Sequence, residues 1–533
     1  MKLFKNLLLV PASLGLMAPV AASAADLNIA GVNPYASSNE QVTSITQFSD
    51  VQPTDWAYQA LSNLIERYGC VAGYPNGTVK GQQAMTRYEA AALLNACLDR
   101  ITEVTDELKR LMKEFEKELA VLKGRMDDLE AKVGELEATR FSTTTKLSGQ
   151  ATFVVGANGF GGSASDLVTG SRRDFGAATF NYDLQLTFDT SFSGKDLLRT
   201  NLRAGNFDIP SNSFGGAGPS SLSQLEVAFQ EDCGTGSDCG DVVAIDRLFY
   251  QFPVGDFTIT VGGVVGQDDM LAIWPSVYPA DTVLDVLTLG GAPAAYNKNQ
   301  GSGAGVWWQK NGFAISANYV AANGDVGNPD TGGLATAGAG GTGTVQIGYT
   351  TEQWGLAAIY SYIQNANDLI TYGTNFTLNS YANPGNTSAF GLSGYWQPSQ
   401  SGWIPSISAG WGLNTSTYAS HANDDVSSDG LSSDGLVATS QSWSVGLQWQ
   451  DAFLKGNALG LAVGQPTFAT SLQGGDTPND GNLVWEGWYK FQVTDRIAIT
   501  PALFYLSRPL GGDTPAGESF HQLGGLVKTS FHF

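Results

Sequence analysis

The chain runs to 533 residues with a formal net charge of -22 and a pI near 4.4, and it carries 65 Gly beside 26 Phe, 19 Tyr and 12 Trp. That acidity argues against nucleic acid as a partner, and beyond the N-terminal segment no apolar run is long enough for a spanning helix. A mean hydropathy of -0.08 does not exclude a membrane β-barrel, because lipid-facing and lumen-facing residues cancel along each strand.

Lys2 and Lys5 precede an apolar core, Leu7 to Val20, and Ala22-Ser23-Ala24 fits a small-x-small cleavage site. Residues 1–24 are therefore expected to be a secretory signal, with the mature chain starting near Ala25. A retained membrane anchor is the competing reading, for which the core is short. Residues 25–45 are polar and read as a loose segment. Residues 46–100 read as a small α-helical domain. Thr54-Asp55 caps a helix whose apolar stripe is Leu61, Leu64 and Ile65, and Gly73-Tyr74-Pro75-Asn76-Gly77 is a turn. Thr86 and Glu89 then form a capping box for a second helix.

Phe48-Ser49-Asp50-Val51, Trp56-Ala57, Gly73-Tyr74-Pro75-Asn76-Gly77-Thr78 and Met85-Thr86-Arg87-Tyr88-Glu89-Ala90 resemble one S-layer homology repeat. The resemblance implies binding to a polymer attached to peptidoglycan, with Asp50, Trp56, Tyr74, Thr86, Arg87 and Glu89 as the contact set. The family's Thr-Arg-Ala-Glu motif falls on Thr86, Arg87, Tyr88 and Glu89, and Tyr88 departs from the usual Ala. Arg87 suits a fork-shaped contact with a carboxylate. Local capping and pairing by Arg87 and Glu89 is the alternative.

Residues 101–140 read as one long helix. Apolar positions from Ile101 to Leu136 recur at steps of three and four, with one 3-4-4 stutter around Phe115. So narrow a stripe needs a partner helix, which makes the segment a coiled-coil stalk of roughly 55–60 Å. An intramolecular hairpin is the other reading, against which stands the lack of Pro or a strong turn.

From 144 to 533 the texture becomes β. Tyr182, Leu184, Leu186 and Phe188 oppose Asn181, Asp183, Gln185 and Thr187. Leu523, Gly525, Val527, Thr529, Phe531 and Phe533 oppose Gln522, Gly524, Lys528, Ser530 and His532, interrupted only by Leu526. Tight connections at 193–196, 254–256, 310–312, 351–353 and 494–496 alternate with long Gly-rich ones at 322–341, 364–387, 414–440, 464–481 and 508–520. Alternating strands, short turns at one end and long loops at the other predict an antiparallel transmembrane β-barrel. There are about 17 strand candidates, whereas such barrels have an even number. Segment 222–230 is the weakest, which leaves 16, with 14 or 18 open.

Catalysis is not expected. His421, His521 and His532 sit in no nucleophile–base signature, and no metal or cofactor motif occurs. Cys233 and Cys239 flank Gly-Thr-Gly-Ser-Asp and read as a disulfide-pinned loop; Cys70 and Cys97 either pair or remain thiols. What remains is passage through a pore. Arg199, Asn201 and Arg203 share one strand face, Arg247 and Lys298 are placed to approach them, and segment 265–303, with Asp268 and Asp269, is the candidate for a loop folded into the lumen. Opposed charges across a constriction sort solutes by charge. Two plainer readings stay open: arginines that only stabilise the wall, and a 265–303 loop that lies outside.

The order of signal, S-layer homology repeat, coiled coil and Gly-rich aromatic barrel resembles the major outer-membrane porins of cyanobacteria, whose barrels are related to the carbohydrate-selective porins. The stretches 188–200 and 246–256 carry the resemblance within the barrel. It implies a homotrimeric channel for small solutes and inorganic ions, seated in outer-membrane lipid, with its N-terminal domain in the periplasm. A substrate-selective uptake channel for carbohydrate or iron, or a mainly structural envelope tether, are the alternatives.

Overall fold

Where every second side chain is apolar on one long sheet, the sheet has two unlike faces. In hydrocarbon its edges must also be paired. Closure meets both demands. The computed structural model describes residues 144–207, 211–231, 240–279, 283–366, 369–418 and 435–533. In it sixteen antiparallel strands form a closed barrel in which the first strand pairs with the last. Segment 222–230 is indeed no strand: Ser221–Ser223 is a single 3-10 turn. The signal, the S-layer-like domain with its six candidate contacts, the stalk and all four cysteines lie outside the described residues.

Strands β1 (Thr145–Gly161) and β2 (Thr179–Thr190) are bridged by a connection containing helix α1 (Ser165–Phe175). Then come β3 (Leu197–Gly205), β4 (Ala244–Val254), β5 (Phe257–Gly266), β6 (Gln300–Lys310), β7 (Phe313–Ala321), β8 (Gly341–Thr350) and β9 (Trp354–Gln364). Helix α2 (Asn375–Tyr381) precedes β10 (Gly385–Trp396), β11 (Ser406–Tyr418), β12 (Val437–Gln450), β13 (Ala458–Leu472), β14 (Leu483–Thr494), β15 (Ile497–Ser507) and β16 (His521–His532). Strand ends thus alternate between brief turns at one rim, the periplasmic one, and long connections at the other. The β2–β3 turn shows how the brief ones hold. Asp196 accepts from the Ser193 hydroxyl at 2.6 Å and its amide at 2.7 Å, and from the Tyr250 hydroxyl at 2.7 Å. Those bonds keep its carboxyl well below the usual range.

The outer face follows the expected parity. Phe180, Ile347, Leu356, Leu503, Leu523 and Val527 are exposed there, while Asn181, Asp183, Gln185, Gln522 and Lys528 are buried on the inner face. The break at Leu526 has a physical cause. Its side chain points inward and joins Val154, Ile359, Val484, Phe504 and Leu506 in one buried apolar cluster inside the barrel. Most of the other members come from three connections of the outer rim: Phe207, Phe214 and Leu222 between β3 and β4, Leu284 to Tyr296 between β5 and β6, and Tyr372 and Tyr381 between β9 and β10. The three segments touch one another. Glu226 N–H donates to Val283 O at 2.9 Å, and the Ser221 hydroxyl to Thr371 O at 2.6 Å.

Candidate functional site

Residues 267–279 and 283–299 enter the lumen and are fastened by the inner wall itself. The hydroxyl of Ser316 on β7 accepts from Ala272 N–H at 2.7 Å, and that of Ser408 on β11 from Val277 N–H at 2.9 Å. Ser361 on β9, Ser393 on β10 and Ser442 on β12 donate to the carbonyls of Ala295, Gly290 and Gly291, at 2.7, 2.6 and 2.9 Å. Serine is short, so the segment lies close against the sheet. At Gly410 a Cβ would stand 1.8 Å from Gly290 O, so only glycine fits. The last anchor is an acid. Glu486 on β14, 5% exposed, accepts from the Tyr278 hydroxyl at 2.5 Å and from Leu284 N–H at 2.9 Å.

Opposite this attachment runs a ladder of ion pairs on β2 to β4, completed by Asp268 and Asp269 in the turn that follows β5. Register puts Arg199 across from Asp189, and the guanidinium grips that carboxylate with two bonds, 2.8 and 2.7 Å. Arg203 pairs with Asp183 at 2.6 Å, reaches Asp246 at 3.8 Å, and stacks over the Phe229 ring at 4.7 Å. Asn201 lies between them, its amide 3.4 Å from Asp246. A β-bulge explains the next rung: between Asn201 and Leu202 the register with β4 shifts by one residue, so Asp246 and Arg247 both turn inward. Arg247 donates to Asp269 at 2.6 Å and to Asp246 at 3.2 Å, and lies 3.9 Å from Asp268. Burial lifts the Asp269 carboxyl to about 6 against the pull of Arg247, which leaves it ionised at neutral pH.

The structure therefore brings Arg199, Asn201, Arg203, Arg247, Asp268 and Asp269 into one network. Lys298 stands in a second one that joins the three in-folded segments. Its ammonium is 2.8 Å from Asp285 and 3.6 Å from Glu226, and Asp285 also accepts from the Tyr372 hydroxyl at 2.5 Å. Burial alone would raise the Asp285 carboxyl; Lys298, Tyr372 and Thr288 outweigh it and hold it below the ordinary range. The carboxylates of the two networks outnumber their four cations. Among the described residues no cluster of acidic, His or Cys side chains is arranged to hold a metal.

Sequence reading missed the serine anchors, Glu486 and Asp480. Asp480 is 1% exposed at the outer rim and accepts from the hydroxyls of Thr374 and Thr377 at 2.7 and 2.6 Å and from Ala469 and Gly512 N–H, both at 2.7 Å.

A closed antiparallel barrel with an apolar outer face, a polar inner wall and in-folded outer loops is the architecture of an outer-membrane porin. The chain belongs to the carbohydrate-selective porin, OprB family, whose model matches residues 103–533. An S-layer homology domain matches residues 47–91. An uncharacterized protein of Nostoc sp. is 34% identical over 94% of this chain and 88% of its own, and one of Synechocystis sp. is 31% identical over 94% and 93%. Among solved structures, Pseudomonas putida OprB is similar with a TM-score of 0.46 and 13% identity, covering 76% of this chain and 97% of that one. The protein lies in the outer membrane, with its S-layer homology domain in the periplasm, and its family is one of channels.

Proposed function

We propose that the barrel passes small polar solutes and inorganic ions by passive diffusion, with Arg199, Asn201, Arg203, Arg247, Asp268, Asp269 and Lys298 lining the path. The observation that carries this reading is the ladder of paired charges on the inner face of β2 to β4 and the turn after β5, opposite the wall that holds the in-folded segment. Because carboxylates are in the majority, the path favours cations. In planar bilayers under a salt gradient, the reversal potential is expected to report cation preference. Asp268→Asn should lower the cation-to-anion permeability ratio roughly twofold, since its charge acts within a Debye length of the path. The preference should also weaken as pH falls through about 6, where Asp269 takes up a proton. Folded protein without conductance would end the porin reading; anion preference would end only the selectivity.

The functional unit is a homotrimer in this reading, its barrels (144–533) in outer-membrane lipid and its stalks (101–140) paired with one another. Residues 46–100 bind a peptidoglycan-linked polymer through Asp50, Trp56, Tyr74, Thr86, Arg87 and Glu89, and three copies on one trimer raise wall avidity through effective concentration. Cys233 and Cys239 close their loop by a disulfide. Deleting residues 25–140 should loosen the outer membrane from the wall, seen as increased vesicle shedding, while single-channel conductance stays unchanged. Attachment that survives the deletion would remove the tether. A second reading, selective uptake of a carbohydrate, is favoured by the family's description; saturable block of the current by a sugar would sustain it.

A further inference from the structure

The turns at the periplasmic rim are not alike. Gly194-Lys195, Gly255-Asp256, Asn311-Gly312, Glu352-Gln353 and Asp495-Arg496 make polar tips. The other two, 397–405 and 451–457, are longer and sit side by side, since β11 pairs with β12. Their tips carry Trp403 and Ile404, and Phe453 and Leu454. Trp403 is 94% and Phe453 86% exposed, the largest values for big apolar side chains among the described residues.

These turns are built to hold that shape. The Ser401 hydroxyl donates to Asp451 at 2.7 Å, joining one turn to the other, and Asp451 also accepts from Gly456 N–H at 2.8 Å. Trp449 on β12 donates its indole N–H to Trp403 O at 3.0 Å, and Tyr489 on β14 donates to Ala452 O at 2.8 Å. Phe453 has a φ of 61°, a left-handed conformation that costs a bulky residue energy, so the ring is held outward at the expense of backbone strain.

The patch is continuous with the lipid-facing wall. The Phe453 ring lies 5.8 Å from Tyr489, which lies 4.4 Å from Phe491, and Phe491 and Tyr489 share the outward parity of Trp485. Trp449 likewise shares the outward face of Trp443. Apolar surface therefore runs from the strands down to the turn tips, and exposed Lys455 follows Leu454 where its long stem suits the level of lipid phosphates. We infer that the two turns form a wedge that inserts into the periplasmic leaflet and contacts glycerophospholipid at the boundary between headgroups and acyl chains. The wedge sits on the β10 to β14 side only, so it anchors one flank of the barrel more deeply than the rest.

The test uses full-length protein folded into phosphatidylcholine–phosphatidylglycerol liposomes, with benzoylphenylalanine placed at Trp403 or, separately, at Phe453. Irradiation should give lipid adducts at both positions, about tenfold more than with the same group at Glu352 on a polar turn. Adducts to a second copy of the chain, or a yield equal to that at Glu352, would overturn the inference. Brominated lipid gives an independent reading that needs only a mild substitution. The emission lost in Trp403→Phe should be emission that bromine quenches in the unaltered protein. If the lost component is unquenched, Trp403 lies in water and the wedge is refuted.

Discussion

Replacing Glu486 by alanine is expected to raise single-channel conductance about twofold or more and to make the open level noisy. The carboxylate is buried and fastens the in-folded segment at two points, the Tyr278 hydroxyl and Leu284 N–H. A buried donor left without its acceptor costs about 1–3 kcal/mol. The variant would leave both donors without an acceptor, with Trp488 N–H still bound to the Tyr278 hydroxyl at 2.7 Å. The stretch between Tyr278 and Gly290 should then leave the wall part of the time, because the serine contacts hold only its two ends, Tyr278 N–H and Gly290 O. Glu486→Gln keeps one acceptor oxygen and should fall between the two. Bilayer recording and protease sensitivity of residues 277–290 measure the effect together. If both are unchanged in Glu486→Ala, the serines hold the segment by themselves.

The second large effect is expected at Asp480, and there it is one of stability. This carboxylate gathers donors from the α2 segment, from β13 and from the connection between β15 and β16. Asp480→Ala would leave Ala469 N–H and the Thr374 and Thr377 hydroxyls buried without this acceptor, and should cost roughly 3 kcal/mol or more. Heat-dependent gel mobility of the folded barrel, with proteolysis at 473–482 and 508–520, reads it out. Asp480→Asn should cost less. Its oxygen can take the place of the one that accepts from Thr374, Thr377 and Ala469, and only the Gly512 amide would then face an N–H. Equal loss in the two variants would mean that charge, and not acceptor geometry, holds the rim.

How far the sequence was legible depends on the range over which each signal acts. Outward and inward parity on β2 and β16 could be read residue by residue, because a strand in a barrel wall has only two environments. The shared face of Arg199, Asn201 and Arg203 followed from the same rule. The bulge that turns both Asp246 and Arg247 inward did not, since it depends on a register with β3. Ser316, Ser361, Ser393, Ser408 and Ser442 looked like polar residues wetting a channel; their partners are main-chain atoms far along the chain. Two clues were present. Leu526 broke an otherwise regular alternation, which signals apolar contents inside the barrel. Glu486 stands between Val484 and Trp488 on the inward parity, an acid among buried apolar neighbours. Asp480, in a polar loop, offered nothing comparable.

Because hydroxyls of the wall grasp peptide groups of the visiting loop, attachment and selectivity are written in different atoms. Substitutions in the loop's side chains, Tyr278 and Gln267 apart, can redraw what the channel admits while the fastening goes undisturbed. Evolution can therefore retune this gate one residue at a time without first rebuilding its frame, provided the glycine at 410 stays in place.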